Sequence, residues 1–279
     1  MRFGAHLSIV GGYHEALKRA QNIGANALQI FSSPPRNWSL KEPDKKAIEL
    51  FLKTKKELGI EPVYFHATYL INLAGEELIA KKSVDFLVEE LNLAEKLGIR
   101  GSIIHLGSFK NNKNGEAYKK FLKNIRAILS KTSEKSLFII ENAGNHKIGA
   151  TLEEIAEIIK DLKNERVRVC LDTCHLWSSG YDISDDKKLN VFLDEFDRKI
   201  GLSKLEVWHC NDSRDSFGSF RDRHENIGQG TIGLKTFKTL LNNQRVSDRA
   251  FIIETPGFDD NGPDKKNLEI LKKLITDNK

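Results

Sequence analysis

Cysteine is scarce in this sequence. Only Cys170, Cys174 and Cys210 occur among 279 residues. So odd and sparse a set excludes a disulfide framework and suits a reducing cytoplasm. Long apolar runs are missing as well. None reaches the ~20 residues that a membrane-spanning helix needs. The opening stretch "MRFGAHLSIVGGYHEA" has no basic segment followed by an apolar one, so no signal peptide is expected. There is no low-complexity segment. A dominant charge is also lacking: 44 basic and 39 acidic residues leave a net charge of +5. That value is compatible with a nucleic-acid partner but too mild to argue for one. With 39% hydrophobic and 30% charged residues, the composition is that of a soluble globular protein.

What is present is an alternation. Short apolar runs ("RFGAHLS", "ALQIFSS", "PVYFHA", "SIIHLG", "LFIIENA", "VRVCLDT", "LEVWHCND" and "AFIIETP") are separated by longer segments of helical period. In "EELIAKKSVDFLVEELNLAEKLG", Leu78, Val84, Leu87, Leu91 and Leu97 fall near a 3.6-residue period, and Gly98 follows as a C-terminal cap. Continuous apolar strands mark a parallel sheet covered by helices. Eight strand-then-helix units with no internal break predict a single α/β domain over residues 1–279, a closed (β/α)8 TIM barrel. A doubly wound open sheet is the alternative.

The polar residues fall where such a barrel carries chemistry. In six consecutive runs the apolar stretch ends in a metal-capable residue: His66, His105, Glu141, Asp172, His209 and Glu254. All six ends lie on one face of a parallel barrel, the face that holds active sites. His175 in "LDTCH", and Asp222 and His224 in "DRH", lie just beyond. Singly, each has an ordinary reading: a hydrogen-bonded histidine, a helix cap, an ion pair with arginine. Together, four buried carboxylates at one mouth would repel and be forced to protonate unless cations join them. Five histidines and four carboxylates suffice for three ions with about three protein ligands each. Three divalent ions against four carboxylates leave two positive charges, which a hydroxide and a phosphodiester would meet. The balance favours phosphate-ester chemistry.

At these residues the sequence resembles the endonuclease IV family of apurinic/apyrimidinic endonucleases. The motifs are "HLGS" at 105–108, "LDTCHLWSSGYD" at 171–182 and "HCNDS…DRHENIGQGTIG" at 209–233, with "HATYLINLA" at 66–74 and "IIETPG" at 252–257. The resemblance spans nearly the whole chain. It implies a TIM barrel holding three Zn2+, with Mn2+ admissible at one site. His66, His105 and Glu141 would hold the first ion. Glu141 would bridge to a second, completed by Asp172, His209 and Glu254. His175, Asp222 and His224 would hold the third. Glycines 228 and 230 would let the loop after the seventh strand turn sharply. The implied reaction is hydrolysis of the phosphodiester 5′ to an abasic site in double-stranded DNA, with Glu141 catalytic. The implied products are a 3′-hydroxyl and a 5′-deoxyribose phosphate. Arg36 in "SSPPRNW", and Tyr69 and Leu70 in "HATYLIN", would enter the DNA, although Pro34 and Pro35 depart from the commoner family loop. A cytoplasmic monomer with no obligate protein partner and no membrane association is expected.

Other residues read more simply. Cys170 and Cys174 are core thiols. His6 ends the first strand on the same face, behind the ligands. His14 and His146 face solvent, and "LKKLITDNK" is a solvated helix terminus. Two rival functions stay open: a metal-dependent sugar isomerase or epimerase on a similar barrel, and a DNA-lesion binding protein without chemistry.

Overall fold

The computed structural model describes residues 1–110 and 114–276. Eight parallel strands close into a barrel: β1 (Arg2–His6), β2 (Ala27–Phe31), β3 (Val63–His66), β4 (Gly101–Ile104), β5 (Leu137–Glu141), β6 (Val167–Asp172), β7 (Leu205–His209) and β8 (Ala250–Ile253). Each pairs with its neighbour in sequence, and β8 returns to β1 with Gly4 opposite Ile252. The eight expected strands are therefore all present, and the ring closes where an open sheet would have had edges.

Helices follow the strands on the outside: α1 (Tyr13–Asn22), α2 (Lys45–Leu58), α3 (Glu77–Lys96), α4 (Gly115–Lys131), α5 (Leu152–Leu162), α6 (Thr173–Ser178), α7 (Asp186–Lys199), α8 (Leu234–Asn242) and α9 (Lys265–Lys273). Among the described residues, no helix is long and apolar enough to cross a membrane. Side chains alternate along each strand, so two cores form. Leu28, Ile30, Phe65, Phe138, Ile140 and Phe251 point outward into the helix layer. Tyr64, Ile103, Ile139, Cys170, Val207 and Ile252 point inward and plug the barrel. The plug is an apolar floor beneath the mouth, and the next inward position up each strand is where the polar residues stand.

Two details depart from expectation. On α3, Val84, Leu87, Leu91 and Leu97 are buried, but Leu78 is 65% exposed. At 3.6 residues per turn Leu78 lies on the side of the helix opposite Leu87. Gly98 does follow the helix end in the left-handed region, at φ 58°. At the other end of the chain, Leu271 on α9 is buried in the core, so the expected solvated terminus is only partly so; its last residues, 277–279, lie outside the described range.

One charge-bearing side chain of α3 faces the apolar layer. Glu90 is fully buried, and its two oxygens accept hydrogen bonds from the hydroxyls of Ser32 and Ser102. Burial pushes its carboxyl above the ordinary range, and the two hydroxyls only partly oppose this. A carboxyl raised in the folded state favours its neutral form, so ionisation above the unfolded value of ~4.3 works against folding. Glu90→Gln keeps the shape without the charge. Thermal melts should show little change at acid pH and a growing gain for the variant as pH rises, ~2–4 °C per kcal/mol recovered. A variant that instead loses more stability as pH rises would show that Glu90 is held there as an ion.

Candidate metal centre

The mouth of the barrel is built by strand parity. His66, Glu141, Asp172 and His209 are the last residues of β3, β5, β6 and β7, and His105 and Glu254 follow β4 and β8 by one residue. All are inward positions. The short helix α6 then turns back over the mouth. Asp172 caps it, its Oδ1 accepting from the His175 backbone N–H at 3.0 Å. The cap and ligand readings of Asp172 are thus compatible, because Oδ2 remains on the cavity side, 3.6 Å from His224 Nε2.

The loop after β7 leaves and returns as a ribbon. Asp212–Ser213 pairs antiparallel with His224–Glu225, which carries Asp222 and His224 back to the mouth. Asp212 fastens the second half. Its carboxylate accepts from the backbone N–H groups of Gly228 at 2.9 Å, Gly230 at 3.2 Å and Ile232 at 2.9 Å. Gly228 does make the expected sharp turn, at φ 79°. Gly230 does not adopt a positive φ: a Cβ there would collide with the Ser213 carbonyl and the Asp212 carboxylate, so its role is close approach.

The nine candidate ligands converge in three groups whose donor atoms lie within 4.8 Å of one another: His66, His105 and Glu141; Glu141, Asp172, His209 and Glu254; and His175, Asp222 and His224. Glu141 belongs to two of them. Its Oε2 lies 3.1 Å from His66 Nε2 and 3.2 Å from His105 Nε2, and its Oε1 lies 3.0 Å from His209 Nδ1. His209 Nδ1 is also 3.3 Å from Glu254 Oε2. Asp222 Oδ1 lies 2.9 Å from His175 Nε2 and 3.5 Å from His224 Nε2. Bonds of ~2.0–2.1 Å in a tetrahedron give ligand-to-ligand edges of about 3.3 Å. The observed spacings match such edges.

Three of the other imidazole nitrogens are occupied from behind. His66 Nδ1–H donates to the Ala67 carbonyl at 2.8 Å, His175 Nδ1–H to the Asn142 carbonyl at 2.9 Å, and His209 Nε2–H to Gln29 Oε1 at 2.7 Å. The cavity-side His224 Nε2 is buried without a hydrogen-bond partner, and the buried His175 Nε2 has only the Asp222 carboxylate beside it. Rings held from behind with the other nitrogen aimed at the cavity are what metal ligation requires, once that nitrogen gives up its proton to the metal.

Burial alone pushes carboxyls up and imidazoles down. Here the pairing outweighs it. His105 and His209 hold Glu141 well below the ordinary carboxylate range, and His209 with His6 does the same for Glu254. Asp222 is lowered by His175 and His224. Against the same burial, Asp172 and Asp222 raise His175 well above its ordinary value, and contact with Cys170, then Glu254 and Glu141, raises His209. At His105 burial prevails and the imidazole falls to about 4. Cys170 lies within reach of Glu141 and His209, and Cys174 within reach of Asp172 and His224. Burial raises both thiols, that of Cys170 to about 12, so they remain neutral. All three cysteines are buried and free.

Other candidates are placed as follows. Tyr69, 65% exposed, stands over a cavity of about 340 Å³ that it lines with His66, His105, His175, Asp222, His224 and Glu254. A second groove of about 360 Å³ continues past Tyr69 and Leu70 to Ser108 and Lys147. Arg36 is exposed and, among the described residues, makes no ion pair. Its loop turns through Asn37 N–H to the Pro34 carbonyl, at 3.0 Å, and is tied to the Tyr69 loop by Thr68 Oγ1 donating to the Pro35 carbonyl at 2.6 Å. His6 Nδ1 sits 3.1 Å from Glu254 Oε1, behind the ligands. His146 is exposed but stacks on Phe220 at 4.6 Å, and His14 is half-buried, 3.1 Å from Glu15. Sequence reasoning missed Gln29, Asn211 and Asp212. Asn211 bridges by donating to Asp172 Oδ2 at 2.6 Å and accepting from the Glu254 backbone N–H at 2.7 Å. The available signal was a polar residue at an inward position of an otherwise apolar run, as in "ALQIF".

The chain is similar to known proteins over nearly its whole length. A family model described as a xylose isomerase-like TIM barrel matches residues 17–274. A Persephonella marina protein named "Probable endonuclease 4" is 40% identical over 279 residues, spanning 99% of this chain and 97% of its own. The crystal structure of endonuclease IV from Thermus thermophilus superposes with a TM-score of 0.86 at 34% identity, covering 98% of both chains. A D-tagatose 3-epimerase-like protein, TM-score 0.70 at 21% identity over 98% of this chain and 97% of that one, shares the fold alone. The barrel therefore falls within the class of xylose isomerase-like TIM barrels. Within that class the chain belongs to the endonuclease IV family. It is a hydrolase of the deoxyribonuclease kind.

The pairing sets a pH dependence. In the metal-free protein, His175 and His209 are raised, so their contribution to stability is complete below ~6.5 and is lost as pH rises through their folded values. The lowered carboxylates Glu141 and Glu254 contribute above ~4.3 and lose this as pH falls. Metal ions must displace the imidazole protons. Adding zinc to metal-free protein at pH 7 should release protons, and affinity should fall on acidification. Calorimetric titration in two buffers of different ionisation enthalpy measures the release; identical heats in both would contradict the assigned protonation.

Proposed function

We propose that the chain is a zinc-dependent apurinic/apyrimidinic endonuclease of base excision repair. It hydrolyses the phosphodiester 5′ to an abasic site in duplex DNA, leaving a 3′-hydroxyl and a 5′-deoxyribose phosphate. The observation that carries this reading is the convergence of three donor groups at one mouth, two of them sharing Glu141. His66, His105 and Glu141 would hold one Zn2+, Glu141 with Asp172, His209 and Glu254 a second, and His175, Asp222 and His224 a third, with Mn2+ acceptable at one position. Bound divalent ions supply Lewis acidity and a nucleophile available at neutral pH. Glu141 would hold two cation positions in register, since its two oxygens face different histidines. With a nucleophile supplied by the bound ions, no covalent enzyme intermediate is needed. The protein would act as a cytoplasmic monomer in one domain spanning residues 1–279.

The sugar isomerase or epimerase alternative shares the fold but needs no third donor group, and a lesion-binding protein without activity has no need of a complete ligand set. Incubation of zinc-loaded protein with a duplex carrying one synthetic abasic site should produce a single cut immediately 5′ to the lesion without added magnesium. Glu141→Gln should fold and lose nearly all incision, since the amide nitrogen cannot ligate. An intact strand, a β-elimination end, or near-normal turnover by the variant would sink the assignment.

Recognition is assigned to Arg36, Tyr69 and Leu70. Tyr69 is exposed beside the cavity rather than packed into its loop, which suits a side chain that fills the gap left by a missing base. Stacking on a base is worth ~1–3 kcal/mol. Tyr69→Ala should therefore raise Kd for abasic duplex about tenfold, change undamaged duplex less, and leave zinc content alone. Fluorescence titrations at one fixed salt concentration decide it; equal losses for both duplexes would assign Tyr69 to general loop support.

A further inference from the structure

Gln29 is an uncharged amide pointing into the barrel at the level of the donor groups, and it is fully buried on β2. It contacts three of the side chains around the site. Its Oε1 accepts from His209 Nε2–H at 2.7 Å. Its Nε2 donates to Glu254 Oε1 at 2.6 Å and lies 2.8 Å from His6 Nδ1. Only one orientation of the amide serves both main partners. Reversed, it would set its N–H against the His209 N–H and its oxygen against the Glu254 carboxylate.

These contacts are specific in what they leave free. Engaging His209 at Nε2 leaves Nδ1 for the cavity, where it meets Glu141 Oε1 at 3.0 Å and Glu254 Oε2 at 3.3 Å. Engaging Glu254 at Oε1 leaves Oε2 on that same side. One amide thus sets both the tautomer of a histidine and the rotation of a carboxylate belonging to one donor group. The groups centred on His66 with His105, and on His175 with Asp222, are held by backbone carbonyls instead.

We propose that Gln29 is a positioning residue for the Asp172–His209–Glu254 side of the metal centre, acting on that ion position and not on the other two. The proposal rests on the zinc reading above. Loss of a partner behind a metal ligand typically costs 10–100-fold in affinity or activity.

The test compares the full-length wild type with Gln29→Leu and Gln29→Glu, each checked for fold by circular dichroism. Zinc per chain is measured after gel filtration, release is timed against a chelator, and the histidine ring N–H signals are recorded by NMR. Wild type should hold about three ions. Gln29→Leu should hold about two, release one roughly 10–100-fold faster, and lose the hydrogen-bonded His209 Nε2–H signal. Its kcat for abasic duplex should fall with KM unchanged, because Gln29 lies too deep to touch DNA. Gln29→Glu keeps the acceptor for His209 but turns the donor to Glu254 into a second carboxylate. It should keep the ring signal yet still weaken one ion. Should the leucine variant not fold, the glutamate variant decides. Wild type without bound zinc would overturn the metal reading and this proposal with it. Wild type with three ions, and variants matching it in count and release, would overturn the role of Gln29 alone.

Discussion

The carboxylate of Glu141 is fully buried, and each of its oxygens faces a different set of imidazoles. A buried carboxylate without partners would cost several kcal/mol and would protonate instead. Here the partners come from three strand ends and one short helix. His66, His105 and His209 each close on Glu141 within 3.2 Å, and His175 Nδ1 lies at 3.4 Å. Removing any one leaves charge that the apolar plug below cannot absorb. The mouth is therefore a coupled unit, and its geometry constrains the barrel as much as the barrel positions it.

That coupling explains the polar residues behind the donors. Asn142 accepts the Asp172 backbone N–H at 2.6 Å, while Asn211 links Asp172 to the Glu254 backbone. Asp212 gathers three backbone N–H groups of the returning loop. None of these side chains points at the cavity. Each fixes a neighbour that does, in a site where misplacement by about 1 Å matters.

The loops around the mouth divide by the same logic. The segment from Asp212 to Ile232 is held by side chain-to-backbone bonds and delivers ligands. The loops carrying Arg36 and Tyr69 are fastened to one another through Thr68 and Pro35 and leave their tips to solvent. Rigid attachment with an exposed tip suits insertion into a duplex, since little loop ordering remains to be done on binding. Pro34 and Pro35 act in the same direction, by restricting the backbone.

Much of this was legible in the residues. Eight apolar runs at regular spacing define a parallel barrel, because strands buried on both faces read as continuous hydrophobic segments. Strand polarity then sends His66, His105, Glu141, Asp172, His209 and Glu254 to one face, and the motif pattern adds His175, Asp222 and His224. The side of α3 that Leu78 would take was legible too, yet a count of apolar residues placed it wrongly. Other features needed three dimensions. Gln29 is a single polar letter in "ALQIF", and nothing local says that its partners are Glu254 and His209. Gly230 resembles a turn residue, but it is small because Asp212 and Ser213 press against it. Residue type and period along the chain determine which side chains can do chemistry and which way a strand aims them. Which atoms meet, and which nitrogen of each histidine stays free, depends on contacts between residues distant in sequence, and only closure of the barrel decides those.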